Sequence, residues 1–123
     1  DGEKISRDIE KRIEKYIASD LNPVETSKIG KAYRFDESGP RYIEFCKSTV
    51  PSDISFSSLR IVLDCANGAC YKVSPEIFEE LGAEVIALGD NPDGYNINQG
   101  CGSTHPELVK NEVIKHRADY GYL

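Results

Sequence analysis

Two polar loops hold most of the residues whose types could carry chemistry, and each loop follows an apolar run. The first, from Asp64 to Ser74, leads into a helix signal, where a phosphate could bind at a helix N-terminus. It has neither Gly-x-Gly-x-x-Gly nor Gly-x-x-x-x-Gly-Lys-Ser/Thr, and Asp64 would repel an anion. A tight connection, in which Asn67-Gly68 supplies positive φ, is therefore favoured over phosphate binding.

The second loop, from Gly89 to Ser103, is long for an α/β connection, and long ordered loops are often functional. Its possible oxygen ligands are Asp90, Asp93, Asn96 and Asn98. Their spacing misses the Asp-x-Asx-x-Asx-Gly pattern of a calcium loop, and no glutamate closes it. His105, just beyond the loop, is a weaker candidate for a catalytic base than for a residue at a helix start, and spacing alone indicates no Ser-His-Asp or Cys-His pair.

The cysteines and histidines lack the close, paired spacing of a zinc site. They are Cys46, Cys65, Cys70, Cys101, His105 and His116. Disulfides are not expected either, because nothing in the sequence marks secretion. The sequence thus predicts a reduced, cytoplasmic protein, although Asp1 is not a natural start and a targeting segment could have been removed.

Charge is distributed unevenly along the sequence, which has a net charge of −6. Residues 1–59 carry 10 Lys/Arg and 11 Asp/Glu, whereas residues 60–123 carry 5 and 10. An acidic domain without a basic stripe argues against a nucleic-acid partner. It would also be repelled by an anionic membrane surface, so no membrane partner is predicted.

Three apolar runs must position these loops: Arg60–Cys65, Glu84–Leu88 and Ala118–Leu123. They alternate with segments of helical period, which predicts an α/β fold: a βαβαβ parallel-sheet layer domain. Ser74-Pro75-Glu76 is typical of a helix start, with Gly82 as the C-terminal cap. Thr104 to Glu107 fits the Ser/Thr-x-x-Glu capping box of the next helix.

An N-terminal helical appendage precedes this domain. Its apolar stripe is formed by Ile5, Ile9, Ile13 and Ile17. Ser6 is the predicted N-cap of this helix, and Asn22-Pro23 is predicted to end it. The preceding Asp1-Gly2 is typical of a turn. Because the polar face carries mixed charges, the stripe is predicted to pack on protein and not on a membrane.

Between this helix and the sheet, Ile29–Phe35 is predicted as a short strand or an extended linker. Ser38-Gly39-Pro40 interrupts the pattern, and the domain boundary is placed at Ser38. Pro40 then lies at the start of another helix that Pro51 ends.

Several strings, in this order and spacing, carry a resemblance to a known family. They are Leu63-Asp-Cys-Ala-Asn-Gly-Ala69, Leu81-Gly-Ala-Glu-Val-Ile86, Pro92-Asp-Gly-Tyr-Asn-Ile-Asn98 and Gly100-Cys-Gly-Ser-Thr-His-Pro-Glu107. Together they resemble the α-D-phosphohexomutases, and the bacterial branch acting on glucosamine phosphates more than the mannose/glucose branch. The resemblance covers nearly the whole sequence.

The resemblance implies a four-domain isomerase, an intramolecular phosphotransferase that interconverts glucosamine 6-phosphate and glucosamine 1-phosphate for cell-wall precursors. In such an enzyme a phosphoserine of the first domain exchanges the phosphoryl group. An Asp-Gly-Asp-Gly-Asp-Arg type loop of the second domain holds Mg²⁺. The third domain helps select the sugar, and the fourth binds its phosphate.

None of these functional strings occurs in residues 1–123, so no catalytic, substrate-binding or metal residue is assigned. The resemblance implies that residues 1–38 are the last helix and linker of the first domain. Residues 39–123 would be a truncated α/β second domain ending about where the metal loop begins. The segment is therefore expected to be a non-catalytic scaffold whose partners are the remaining domains and, for the whole enzyme, a hexosamine phosphate. The alternatives are a phosphomannomutase/phosphoglucomutase of the same family and a stand-alone α/β binding module.

Overall fold

Residues 3–20 and 22–123 are described by the structure, a computed structural model. The protein divides into two compact units, Asp1–Arg34 and Phe35–Leu123. Asp1-Gly2, for which a turn is predicted, lies outside the described residues.

A central strand, β1 (Arg60–Asp64), organises the second unit. Ile61 and Val62 are at most 1% exposed, and β1 is flanked on both sides by parallel strands. These are β2 (Glu84–Leu88) and β3 (Tyr120–Tyr122), and the strand order is β2-β1-β3. The predicted parallel βαβαβ layer is confirmed.

Helices α3 (Val73–Glu80) and α4 (Pro106–His116) cover opposite faces of the sheet. Tyr122 stacks on Phe78 of α3 with ring centroids 5.9 Å apart. A Cβ at the neighbouring Gly121 would instead meet Val109 and Val113 of α4. Successive residues of a strand point to opposite faces, so the two helices lie on different sides.

A further helix, α2 (Ser38–Ser48), packs on α3. Lys47 of α2 forms ion pairs with Glu44 and with Glu80 of α3. Pro40 lies in the first turn of α2, as predicted, and Ile43 is its buried residue. Upstream, Ile29–Phe35 forms neither helix nor strand, so the extended linker is the alternative that the structure supports.

Both N-caps predicted for the second unit from Ser or Thr side chains are wrong. The Ser74 N–H already bonds to the Cys70 carbonyl at 2.9 Å, so α3 begins at Val73 without a capping side chain. Helix α4 begins at Pro106, and its N-cap is His105, again without a side-chain bond. The Thr104 hydroxyl lies 3.1 Å from His105 Nδ1, so it contacts its neighbour's ring.

The predicted C-terminal cap of α3 is confirmed. Gly82 has φ of 100° and donates its N–H to Glu79, while Ala83 donates to Phe78 at 3.0 Å. This pair of bonds is a Schellman motif. Arg117 ends α4 with φ of 51°, a left-handed conformation that is unusual for a residue with a Cβ.

In the first unit, α1 (Arg7–Ile17) begins where predicted, because Ser6 accepts the Ile9 N–H. It ends at Ile17, before the predicted stop at Asn22-Pro23. The Ser19 hydroxyl donates to the Tyr16 carbonyl at 2.9 Å, a local bond that competes with continued helix. The apolar stripe of α1 is exposed, and the exposed fraction of its isoleucines runs from 43% at Ile9 to 77% at Ile17.

Candidate functional site

An open depression of about 230 Å³ lies where the carboxyl ends of β1 and β3 meet. Because the polypeptide passes from β1 to β2 and then crosses to β3 on the other side, this is the point at which the strand order reverses. Ligands of open α/β sheets bind at such switch points. The lining residues are Leu63, Asp64, Cys65, Ala66, Cys70, Ser74 and Leu123.

Asp64 is the charged residue buried at this edge, with 4% of its surface exposed. Its Oδ1 accepts the Ala66 N–H at 2.8 Å, and its Oδ2 accepts the Gly102 N–H at 2.6 Å. A carboxylate that receives one amide on each oxygen ties the end of β1 to the distant 89–103 loop. The sequence placed Asp64 at the strand end but did not indicate this partner, which is 38 residues away.

Two glycines make that close approach possible. A Cβ at Gly89 would lie 2.7 Å from Asp64 Oδ1, and a Cβ at Gly102 would lie 2.9 Å from both Ala66 Cβ and Asn98 Oδ1. Both glycines also have positive φ. A side chain at Gly89 would displace the Asp64 carboxylate or the Ala66 backbone, and one at Gly102 would displace the Ala66 methyl group and the Asn98 side chain.

Asn67 is a second link between the two loops. Its Oδ1 accepts the Asn91 N–H at 3.1 Å, and its Nδ2 donates to the Asn96 carbonyl at 3.3 Å. Its backbone N–H donates to the Gly89 carbonyl at 2.5 Å. The predicted positive φ of the Asn67-Gly68 turn occurs at Ala66 and Asn67, with φ of 53° and 52°, and not at Gly68.

The 89–103 loop also bonds to itself. Asp93 Oδ1 accepts the N–H groups of Tyr95 and Asn96, at 2.8 and 2.9 Å. The Asn96 side chain accepts from the Asp93 N–H and donates to the Asn91 carbonyl. Oxygens that the sequence offered as possible calcium ligands therefore serve as acceptors within the loop.

Mg²⁺, which the family resemblance implies, does not fit the residues at this edge. Both Asp64 oxygens already accept amide protons, whereas Mg²⁺ requires near-octahedral oxygen ligands. Within 3–20 and 22–123, no group of three or more His, Cys, Asp or Glu side chains could hold a metal ion.

All four cysteines belong to the described residues, and all are free thiols. Burial raises the pKa of Cys65 to about 11, and the negative charges of Asp90 and Asp64 add to the shift. Cys65 is therefore a neutral, poorly nucleophilic thiol. Cys70, which lines the same depression, is exposed.

The two histidines lie apart from the depression. His105 occupies the N-cap position of α4, and His116 Nε2 lies 3.1 Å from Glu112 Oε2 at the other end of that helix. The Lys115 ammonium and, to a lesser extent, His116 hold the pKa of Glu112 below its ordinary value. The His105 ring contacts the exposed Thr104 hydroxyl, and its position at the start of α4 agrees with the helix-start role that the sequence favoured over a catalytic base.

Among the described residues, no helix is long and apolar enough to cross a membrane.

Comparison with known proteins gives a uniform result. The sequence is 53% identical over 121 residues to a phosphoglucosamine mutase of Coxiella burnetii and 53% identical over 125 residues to one of Geotalea daltonii. It is 51% identical over 121 residues to one of Legionella pneumophila. Each match covers 98% of this chain and 27% of the relative, so the chain spans about a quarter of the length of these relatives. No protein-family model matches the sequence.

Proposed function

We propose that this protein, which is homologous over 98% of its length to phosphoglucosamine mutases, is a scaffold segment of such an enzyme. The whole enzyme would interconvert glucosamine 6-phosphate and glucosamine 1-phosphate. The observation that carries this proposal is the even identity, 50–53%, to curated proteins of one name across several bacterial genera.

The share of the relatives that is matched supports a segment and not a whole enzyme. Relatives about four times longer than this protein have most of their residues elsewhere. We therefore propose that the phosphoserine and the Mg²⁺ ligands lie outside residues 1–123. The cytoplasmic location predicted from the sequence stays a prediction.

The geometry of the carboxyl edge supports a scaffolding role. Asp64 and Asn67 direct their side chains to backbone groups of the 89–103 loop, and that loop is further tied by Asp93. Such a network fixes the positions of loop and strand ends before any ligand arrives, as a preorganised site requires. Any polypeptide that continues from β3 leaves the sheet at this same edge, because β3 runs parallel to β1.

We also propose that residues 1–38 belong to the first domain of the enzyme and residues 39–123 to the second; the two compact units of the structure divide nearby, between Arg34 and Phe35. In the whole protein the Ile5/Ile9/Ile13/Ile17 stripe would be covered by the remainder of the first domain. In the isolated segment the stripe is exposed, which supports self-association through it.

A chimera tests the proposal directly. The matching residues of the Coxiella burnetii relative are replaced by this sequence, and turnover of glucosamine 6-phosphate is measured. We expect the chimera to retain activity, because the two segments are 53% identical with nearly complete coverage. The isolated 123-residue segment is expected to show no turnover.

Two outcomes would redirect the proposal. If the full-length parent protein, with its own third domain, turned over mannose or glucose phosphates but not glucosamine phosphates, the phosphomannomutase/phosphoglucomutase alternative would be favoured. A saturable rise in the melting temperature of the isolated segment with sugar phosphates and Mg²⁺ would instead favour a stand-alone binding module, for which the depression beside Cys70 offers a place.

A further inference from the structure

Asn67-Gly68 is the one place in the sequence where glycine follows asparagine. In such a pair the glycine nitrogen can attack the carbonyl carbon of the asparagine amide, since no Cβ on the glycine hinders the approach. A new C–N bond forms, the bond from that carbon to Nδ2 breaks, and ammonia leaves. The product is a five-membered succinimide ring, which water then opens at either of its two carbonyl groups. One opening gives aspartate, and the other gives isoaspartate, in which the main chain continues through the side-chain carboxyl carbon.

Both reacting groups are held in the folded protein. The Asn67 amide is bonded at Oδ1 by the Asn91 N–H and at Nδ2 to the Asn96 carbonyl. The nucleophile is bonded as well, because the Gly68 N–H donates to the Cys65 carbonyl at 2.8 Å. Ring closure requires the Asn67 side chain to rotate, so the bonds to the 89–103 loop must open first.

The product cannot restore these bonds. A carboxylate at position 67 has no Nδ2 donor, so an oxygen would face the Asn96 carbonyl where an N–H now points. It would also add negative charge in a loop that already holds the buried Asp64. The isoaspartate form lengthens the backbone at a tight turn, where Asn67 has φ of 52° and donates to Gly89 at 2.5 Å.

We propose that Asn67 is a modification site, deamidating spontaneously at a rate set by opening of the 89–103 loop. The reaction needs the loop open and leaves it open. Water is the one co-reactant, and no enzyme is needed.

The test follows conversion at Asn67 by peptide mapping and mass spectrometry while the full 123-residue protein is incubated in mildly alkaline buffer. Gly102→Ala should loosen the loop, because its Cβ would lie 2.9 Å from Ala66 Cβ and Asn98 Oδ1. Gly100→Ala is the matched control, since Gly100 also has positive φ, 66°, but its Cβ would meet nothing within 4 Å. Because the side-chain bonds from Asn67 to the 89–103 loop would be weakened, we expect conversion to speed up about tenfold in Gly102→Ala relative to Gly100→Ala.

The same experiment in urea supplies the comparison if Gly102→Ala does not fold: conversion at Asn67 should be faster in the unfolded than in the folded protein. Equal rates in folded and unfolded protein, or equal rates in the two glycine variants, would overturn the proposal. Asn67→Asp, which mimics one product, should raise amide hydrogen exchange at Asn98 and Gly102, whereas Asn111→Asp on α4 should not. Unchanged exchange in Asn67→Asp would refute the claim that the reaction leaves the loop open.

Discussion

Replacing Asp64 by asparagine tests the link between β1 and the 89–103 loop with almost no change in side-chain shape. Asp64 uses one oxygen for the Ala66 N–H and the other for the Gly102 N–H. Asparagine keeps one oxygen and places an NH₂ group against the second N–H. One buried backbone donor is then left without an acceptor.

The size of the effect follows from two opposed contributions. An unpaired buried donor and a lost charge-assisted bond each cost about 1–3 kcal/mol, whereas removing the buried charge returns part of its desolvation cost. We expect Asp64→Asn to lower the free energy of unfolding by about 2 kcal/mol. Amide exchange at Gly102 should rise more than exchange within β1, because the loop is released before the sheet opens.

Asp93→Asn is the matched control in the same loop. The Tyr95 and Asn96 N–H groups both donate to one oxygen of Asp93, Oδ1, and asparagine retains such an oxygen. Its free energy of unfolding should change by less than about 0.5 kcal/mol. Urea unfolding followed by circular dichroism measures both variants, and equal midpoints for Asp64→Asn and Asp93→Asn would refute the role assigned to Asp64.

Three further changes give separate predictions. Gly121→Ala should destabilise the protein by about 1–3 kcal/mol in urea unfolding, because its Cβ would lie 2.5 Å from Val109 and 2.7 Å from Val113. Burial raises the pKa of Cys65 from 9.0 to about 11, so its contribution to stability is complete below pH 9 and is lost as pH rises through 11. Between pH 9 and pH 11, the free energy of unfolding of Cys65→Ala should therefore fall by about 2 kcal/mol less than that of the native protein. Ile9→Glu should abolish any concentration-dependent increase in mass seen by light scattering, and an association that persists in this variant would exclude the stripe as its interface.

The sheet was predictable from sequence because its signals are local. Branched apolar runs such as Arg60–Asp64 alternate with helical segments, and this alternation is typical of parallel strands joined by crossover helices. The Gly82 cap was predictable for the same reason, since positive φ at a helix end favours glycine in any context.

The starts of α3 and α4 were not predictable from capping patterns alone. Ser74 has the residue type of an N-cap, but a backbone bond to Cys70 extends the helix upstream and removes the need for a side-chain cap. At α4, proline at the first position fixes the start at Pro106, so the Thr104–Glu107 pattern has no helix end to bond. A capping pattern indicates roughly where a helix begins, but its first residue also depends on the conformation of the preceding turn.

The links at the carboxyl edge show why function could not be derived from this fold alone. Asp64 and Asn67 have the residue types and the position of a ligand site, at the switch point of a parallel sheet. Their partners, 38 and 24 residues away, are backbone amides of the 89–103 loop, and sequence spacing cannot show that pairing. Since the same fold hosts many activities, the edge supports a reaction only through what it positions. A chimera that loses activity on Asp64→Asn while keeping its fold would place the 89–103 loop among the elements that the mutase chemistry requires.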